Sequence, residues 1–307
     1  MTRRRIALAL ALAAGLALLG GASCKFLGNA ITVNDKPIGV LFEDPKEDLT
    51  PENEYYLGRS VATSILAKHE YKYLGAEAIG AGRLEGPTGY VSLVGALVAA
   101  YAPEHREKKD GRRPRPLAGW HFVIVDSDTV NAMASPGGYV FVSRGALALA
   151  RSEDELACVL AHEVAHVALG HALGNIQKSR YAGFTKDMFK VQADGPGLEK
   201  LEGLMEGAID DTVNAYFVKG YSKETEYEAD KLGLSICAQA GYDPSAMVAF
   251  LARLAKAQDT GSGGFYQTHP KASERIGKLK KQLAKMAKPA KPPAIRKERY
   301  LAAIKEL

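Results

Sequence analysis

Three cysteines in 307 residues are too few for a disulfide framework. Cys158 and Cys237 read either as separate buried thiols or as one bridge in an oxidising compartment. The apolar run Ile6–Leu19 has 14 residues, short of the roughly 20 that a membrane-spanning helix needs. No G-x-x-x-x-G-K-[ST] occurs, and the Gly80–Gly86 run lacks G-x-G-x-x-G spacing, so nucleotide chemistry has no support. There is no internal repeat. The net charge of +5 is unevenly spread: Arg3–Arg5 supply +3 and residues 271–307 supply +9, leaving residues 6–270 at −7. A basic tail on an acidic body is not the pattern of a nucleic-acid-binding domain.

What is present begins with an export signal. Three arginines, the apolar run and the small residues Gly20–Ser23 form the three regions of a secretory signal peptide. Small residues directly before Cys24 also resemble a bacterial lipoprotein signal, in which that cysteine is acylated. The expected organisation is a signal over 1–23, a polar tether over 25–50, one domain over 51–287 and a basic, Pro-containing tail over 288–307. Glu52–Tyr73 and Tyr90–Tyr101 have helical spacing, while His121–Val125 and Tyr139–Ser143 are β-branched and aromatic and predict strands. Ser152 and Glu155 form a capping box that opens a helix expected to run to about Leu173 and stop at Gly174. A loosely helical, charged stretch covers 175–220. Ser222 caps a further helix ending at Gly241, and the tail reads as a solvated helix with a mobile end.

The chemistry lies in the Ser152 helix. His162-Glu163-Val164-Ala165-His166 is H-E-x-x-H. Residues four apart lie about 40° apart around a helix, so both imidazoles can bind one metal ion. Glu163 is rotated beside them, in the place of a general base acting on water. The apolar neighbours Leu160, Ala161, Val164, Ala165 and Val167 require burial, and buried ionisable groups need partners. A catalytic zinc site needs a third protein ligand. His171 sits nine residues after His162 rather than the ten of the extended motif, and about 140° round the helix from His166. Glu226, in Glu226-Tyr227-Glu228-Ala229-Asp230, is the better candidate. Asp230, one turn on, can take the second N–H of a ligating histidine. Glu228 points elsewhere and reads as solvated.

H-E-x-x-H followed some 60 residues later by E-x-x-x-D resembles the gluzincin metallopeptidases related to the CAAX prenyl endopeptidase, HtpX and BepA. The likeness spans about 50–280. It includes Asn131-Ala132 to Pro136-Gly137-Gly138-Tyr139-Val140-Phe141-Val142, Leu156–Glu163, Gly241-Tyr242-Asp243-Pro244 and Thr268-His269-Pro270 with Arg275. The resemblance implies an α+β, mainly helical, zincin-like metallopeptidase domain with a small sheet against the H-E-x-x-H helix. It implies one Zn2+ per chain held by His162, His166 and Glu226, with Glu163 as general base and Asp230 orienting a ligand. His269, read from the residues alone as a loop histidine, would occupy the open zinc position and hold the enzyme latent. Arg275 would position substrate or stabilise developing charge. The multiple membrane spans of the CAAX endopeptidases and the repeats of BepA are absent, so prenylated C-termini are not the expected substrate.

The expected activity is therefore exported peptide-bond hydrolysis in the periplasm, with outer-membrane tethering through an acylated Cys24. Unfolded or misassembled envelope proteins are the expected substrates. Tyr139, Val140, Phe141 and Val142, as an exposed edge, would align substrate as an added strand. The rival reading is a latent or non-catalytic assembly factor for outer-membrane proteins. The intact Glu163 argues against it, since binding alone needs no general base.

Overall fold

The computed structural model describes residues 32–33, 36–37, 51–67, 72–74, 86–103, 116–174, 221–258, 269, 272–287, 292–305 and 307. The signal segment, Cys24, the charged stretch over 175–220 and the Gly261–Gly264 loop lie outside them. The chain divides into two compact units, Met1–Asn53 with Asn175–Thr212, and Glu54–Gly174 with Val213–Leu307. In the first, β1 (Thr32–Val33) pairs antiparallel with β2 (Lys36–Pro37). No helix among the described residues is long and apolar enough to cross a membrane.

The second unit carries the site. A helix, α1 (Pro51–Ala67), is followed by β3 (Lys72–Leu74), α2 (Gly86–Ala99) and β4 (His121–Asp126). Next come β5 (Ala132–Ser135), a 3₁₀ turn at Pro136–Gly138, β6 (Tyr139–Ser143) and α3 (Arg144–Leu149). The remaining helices are α4 (Glu153–Ala168), α5 (Lys223–Gln239), α6 (Ser245–Gln258), α7 (Ala272–Leu283) and α8 (Ala294–Ala303). The sheet runs β3-β4-β6-β5, with β4 and β6 parallel and both outer pairings antiparallel. This is a small sheet in a mainly helical α+β unit. All sixteen residues of α4 are buried, in agreement with a sequence that is apolar nearly all round. Ser152 caps α4 by accepting from the Glu155 N–H, and Ser222 caps α5 by accepting from the Thr225 N–H.

Four local expectations are corrected and one open alternative is decided. The first helix stops at Ala67, and Tyr73 is a strand residue paired with Val125. The alternation Tyr71-Lys72-Tyr73 carries a strand period that helical spacing had absorbed. The zinc-helix candidate ends at Ala168, because Gly170 takes φ +68° and breaks it before His171. The strand Tyr139–Val142 is no edge: β4 holds it on one side and β5 on the other, so its backbone groups are committed. The C-terminal segment packs as α8, with Tyr300 fully buried and its hydroxyl donating to the Leu147 carbonyl. Finally, Cys158 and Cys237 are bonded to each other, tying α4 to α5.

Candidate metal centre

One turn of α4 separates His162 from His166 and turns both Nε2 atoms to the same point, 3.1 Å apart. Glu226 reaches that point from α5, with Oε2 3.5 Å from His162 Nε2 and Oε1 3.3 Å from His166 Nε2. Such proximity requires the two helix backbones to touch, and Gly233 permits it: a Cβ there would meet the His162 Cα at 3.0 Å. His269 completes the group, its Nδ1 2.6 Å from Glu226 Oε1. One donor atom from each of His162, His166, Glu226 and His269 falls within 4.8 Å of the others, and all four side chains are buried. Nitrogen and carboxylate donors in this number suit zinc.

Around the cluster the carboxylates are sorted by partner. Asp230 Oδ1 lies 3.2 Å from His162 Nδ1, on the far side of the ring from the cluster. The Arg275 guanidinium donates to Asp230 through Nε at 2.9 Å and through a terminal nitrogen at 2.6 Å. Its other terminal nitrogen is 3.0 Å from Glu226 Oε2. Arg275 is wholly buried in these contacts. Nε and one terminal nitrogen of Arg275 thus bind the His162 partner Asp230, and the other terminal nitrogen pairs in charge with the Glu226 carboxylate. Glu163 differs from both acids. It is fully buried, neither carboxylate oxygen has a hydrogen-bond partner among the described residues, and His269 Nε2 stands 3.7 Å from Oε1. Three buried carboxyl groups against one guanidinium leave up to two negative charges, to be balanced by a dication or by protons on the histidines or on Glu163.

The proton affinities follow these surroundings. Burial and Arg275 would depress His162, but hydrogen bonds to Asp230 and Glu226 outweigh them and lift it to about 9. Burial holds His166 well below the usual imidazole range. Burial raises Glu163, with only partial relief from His269 and His162. Burial would also raise Asp230, but Arg275 and His162 hold it down at about 2. A metal ion held there by His162 would compete with the proton on that ring, and Asp230 would stand ionised behind it.

Peptidase family M48 matches residues 108–283, more than half of the chain. The chain belongs to this family. Residues 108–283 are thus a zinc metallopeptidase domain, and the four-donor cluster stands within them. Named relatives are similar over about half of the chain. The mitochondrial metalloendopeptidase OMA1 of Schizosaccharomyces pombe is 32% identical over 166 residues, 53% of this chain and 47% of its own length. A putative beta-barrel assembly-enhancing protease of Vibrio cholerae is 32% identical over 166 residues, 50% of this chain and 33% of its own. The beta-barrel assembly-enhancing protease of Escherichia coli is 29% identical over 142 residues, 44% and 28%. The chain thus spans less than half the length of the relatives it matches.

Sequence reasoning missed two groups in the M48 site. His171 is no member of the cluster, yet its Nδ1 lies 3.0 Å from His166 Nδ1 and its Nε2 3.3 Å from Glu228 Oε2. The helical wheel placed it 140° away because it assumed an unbroken helix, and the glycine at 170 was the available signal. Tyr221 stacks on the His166 ring, centroids 4.0 Å apart and planes 15° apart. Nothing in a lone tyrosine before a helix cap announces that contact. The first turn of α4 was also undervalued. Glu153 is claimed by Arg299, Tyr90 and Tyr242, Asp154 by Arg296, and Glu155 by Arg253. These contacts fix the end of the helix that carries both histidines.

Proposed function

We propose that the protein is an exported zinc endopeptidase acting on unfolded or misassembled envelope proteins, held latent at rest by His269. The observation that carries this reading is Glu163: a buried carboxylate with no hydrogen-bond partner among the described residues, beside a four-donor cluster. Such a group is costly unless a reaction uses it. Bound zinc supplies a Lewis acid that acidifies water and polarises a carbonyl. Glu163 takes the proton from the attacking water and delivers it to the leaving amine, and its raised proton affinity suits both duties. Asp230 and Arg275 keep His162 in one tautomer and hold Glu226 in place.

His269 supports the latent state twice over. It supplies the fourth donor, and its Nε2 lies 3.3 Å from the Ala132 carbonyl of β5. Its release would open a coordination position and free that carbonyl, on the strand bordering the site, for a substrate N–H. The Cys158–Cys237 bond suits an oxidising compartment outside the cytoplasm, and the names of the bacterial relatives favour envelope proteins as substrates. Acylation of Cys24 would add a membrane tether. The second reading, an assembly factor that binds without cutting, draws on the same fourth donor.

Zinc content and casein cleavage of the full chain separate the two. Wild type should bind one zinc and cleave weakly, Glu163→Gln should keep zinc and lose cleavage, and His269→Ala should cleave faster. If all three bind zinc and none cleaves, the binding factor replaces the peptidase.

A further inference from the structure

We infer that His171 and Glu228 are positioning residues for His166, forming a hydrogen-bonded chain from the metal ligand to the protein surface; this rests on the peptidase reading of the cluster. The direction of the chain follows from the atom positions once His166 Nε2 is the nitrogen that holds the metal. His166 turns Nε2 to the cluster, 3.3 Å from Glu226 Oε1 and 3.1 Å from His162 Nε2. A nitrogen that holds a metal keeps its lone pair, so the His166 proton sits on Nδ1. That atom is 3.0 Å from His171 Nδ1. Two facing ring nitrogens at this distance share one proton, and here His166 donates it. His171 Nδ1 therefore accepts, and its own proton lies on Nε2, which points at Glu228 Oε2 from 3.3 Å. Each donor in the chain meets one acceptor.

The two ligand histidines are consequently supported in different ways. His162 is backed directly by Asp230, a buried acid gripped by Arg275. His166 is backed by an imidazole whose side chain is 9% exposed, and beyond it by a carboxylate 67% exposed. The break at Gly170 makes this possible, because only a chain leaving the helix axis can fold His171 back beneath His166. Tyr221 closes the face of the His166 ring and fixes its plane. A ligand ring with its outer nitrogen bound and its face covered has one orientation toward the metal.

The test measures zinc affinity by chelator competition in the full chain, beside melting of the metal-free protein. His171→Phe fills the space and removes both hydrogen bonds; it should weaken zinc binding about 10–100-fold. His171→Gln, whose amide can accept from His166 and donate to Glu228, should recover most of that loss. Glu228→Ala, at the exposed end, should cost about 2–5-fold. In the zinc-loaded wild type, side-chain 15N spectra should show His166 protonated at Nδ1 and His171 at Nε2. Zinc affinity within twofold of wild type in His171→Phe would overturn the inference while leaving the peptidase reading intact. So would a Gln variant as weak as Phe with an equally lowered metal-free melting temperature, or a His171 protonated at Nδ1. A wild type that binds no zinc would sink both readings together.

Discussion

Gly233 lies against the backbone of His162, so close that an added Cβ would stand 3.0 Å from the His162 Cα and 3.1 Å from its nitrogen. The distance between α4 and α5, and with it the reach of Glu226 and Asp230, is set at this one crossing. Gly233→Ala should push the helices apart by a few tenths of an ångström and destabilise the fold by about 1–3 kcal/mol. Zinc affinity should fall with it, because the Glu226 oxygens move away from two rings they now approach within 3.5 Å. Isothermal titration and thermal melts of the variant check both effects. Unchanged zinc affinity would mean that the site tolerates a wider crossing.

Arg275 offers a second handle. It is wholly buried among Asp230, Glu226 and His162. Arg275→Met leaves two acids buried without their cation, at an expected cost of about 3–5 kcal/mol. Arg275→Lys keeps the charge but not the fork, and should fall between Met and wild type. Denaturant unfolding of the metal-free proteins ranks the three. A lysine variant as stable as wild type would mean that charge alone matters there.

The disulfide joins residues 79 apart. By loop-closure entropy, a bridge of this span stabilises by about 4–5 kcal/mol. Cys158→Ala with Cys237→Ala should therefore lower the melting temperature, and reductant should lower that of wild type while leaving the double variant unmoved. A reductant effect of equal size on both proteins would place the sensitivity elsewhere.

Glu153 gives the fold a pH dependence of known sign. Burial would raise its carboxyl, but Arg299, Tyr90 and Tyr242 outweigh that and hold it below its ordinary value. A carboxyl depressed in the folded state stabilises above the unfolded value of 4.5, and the contribution is lost as pH falls from there through the folded value. Arg299 is half exposed, so solvent screening limits its share to about 1 kcal/mol. Arg299→Gln should melt below wild type at pH 7, and the gap should close as the pH drops below about 4. A gap independent of pH would show that Arg299 acts through packing alone.

The site was legible where chemistry and helical geometry coincide within one element. His162, Glu163 and His166 share one turn of helix, and Glu226 with Asp230 share another, so a wheel places each set correctly. The strands β4 and β6 announced themselves through Val, Ile and Phe. What stayed hidden depends on partners remote in sequence. The strand β5 is Ala-Met-Ala-Ser, small residues with little strand preference, held by pairing to β6 and by the helix above it. The helix α8 reads as solvated by charge alone, because only Tyr300 goes deep while Arg296 and Arg299 work at its rim. His171 was misplaced by one glycine's backbone angle.

The clamps on the first turn of α4 also fix an order in time. Glu153 and Asp154 find their arginines 146 and 142 residues further along the chain. A ribosome adds residues from the N-terminus onward, so the histidine helix is made long before its anchor. Until residues 296 and 299 have emerged, Asp154 and Glu153 lack their cations. A chain made in this order acquires the last support of α4 after all four residues of the donor cluster have been synthesised.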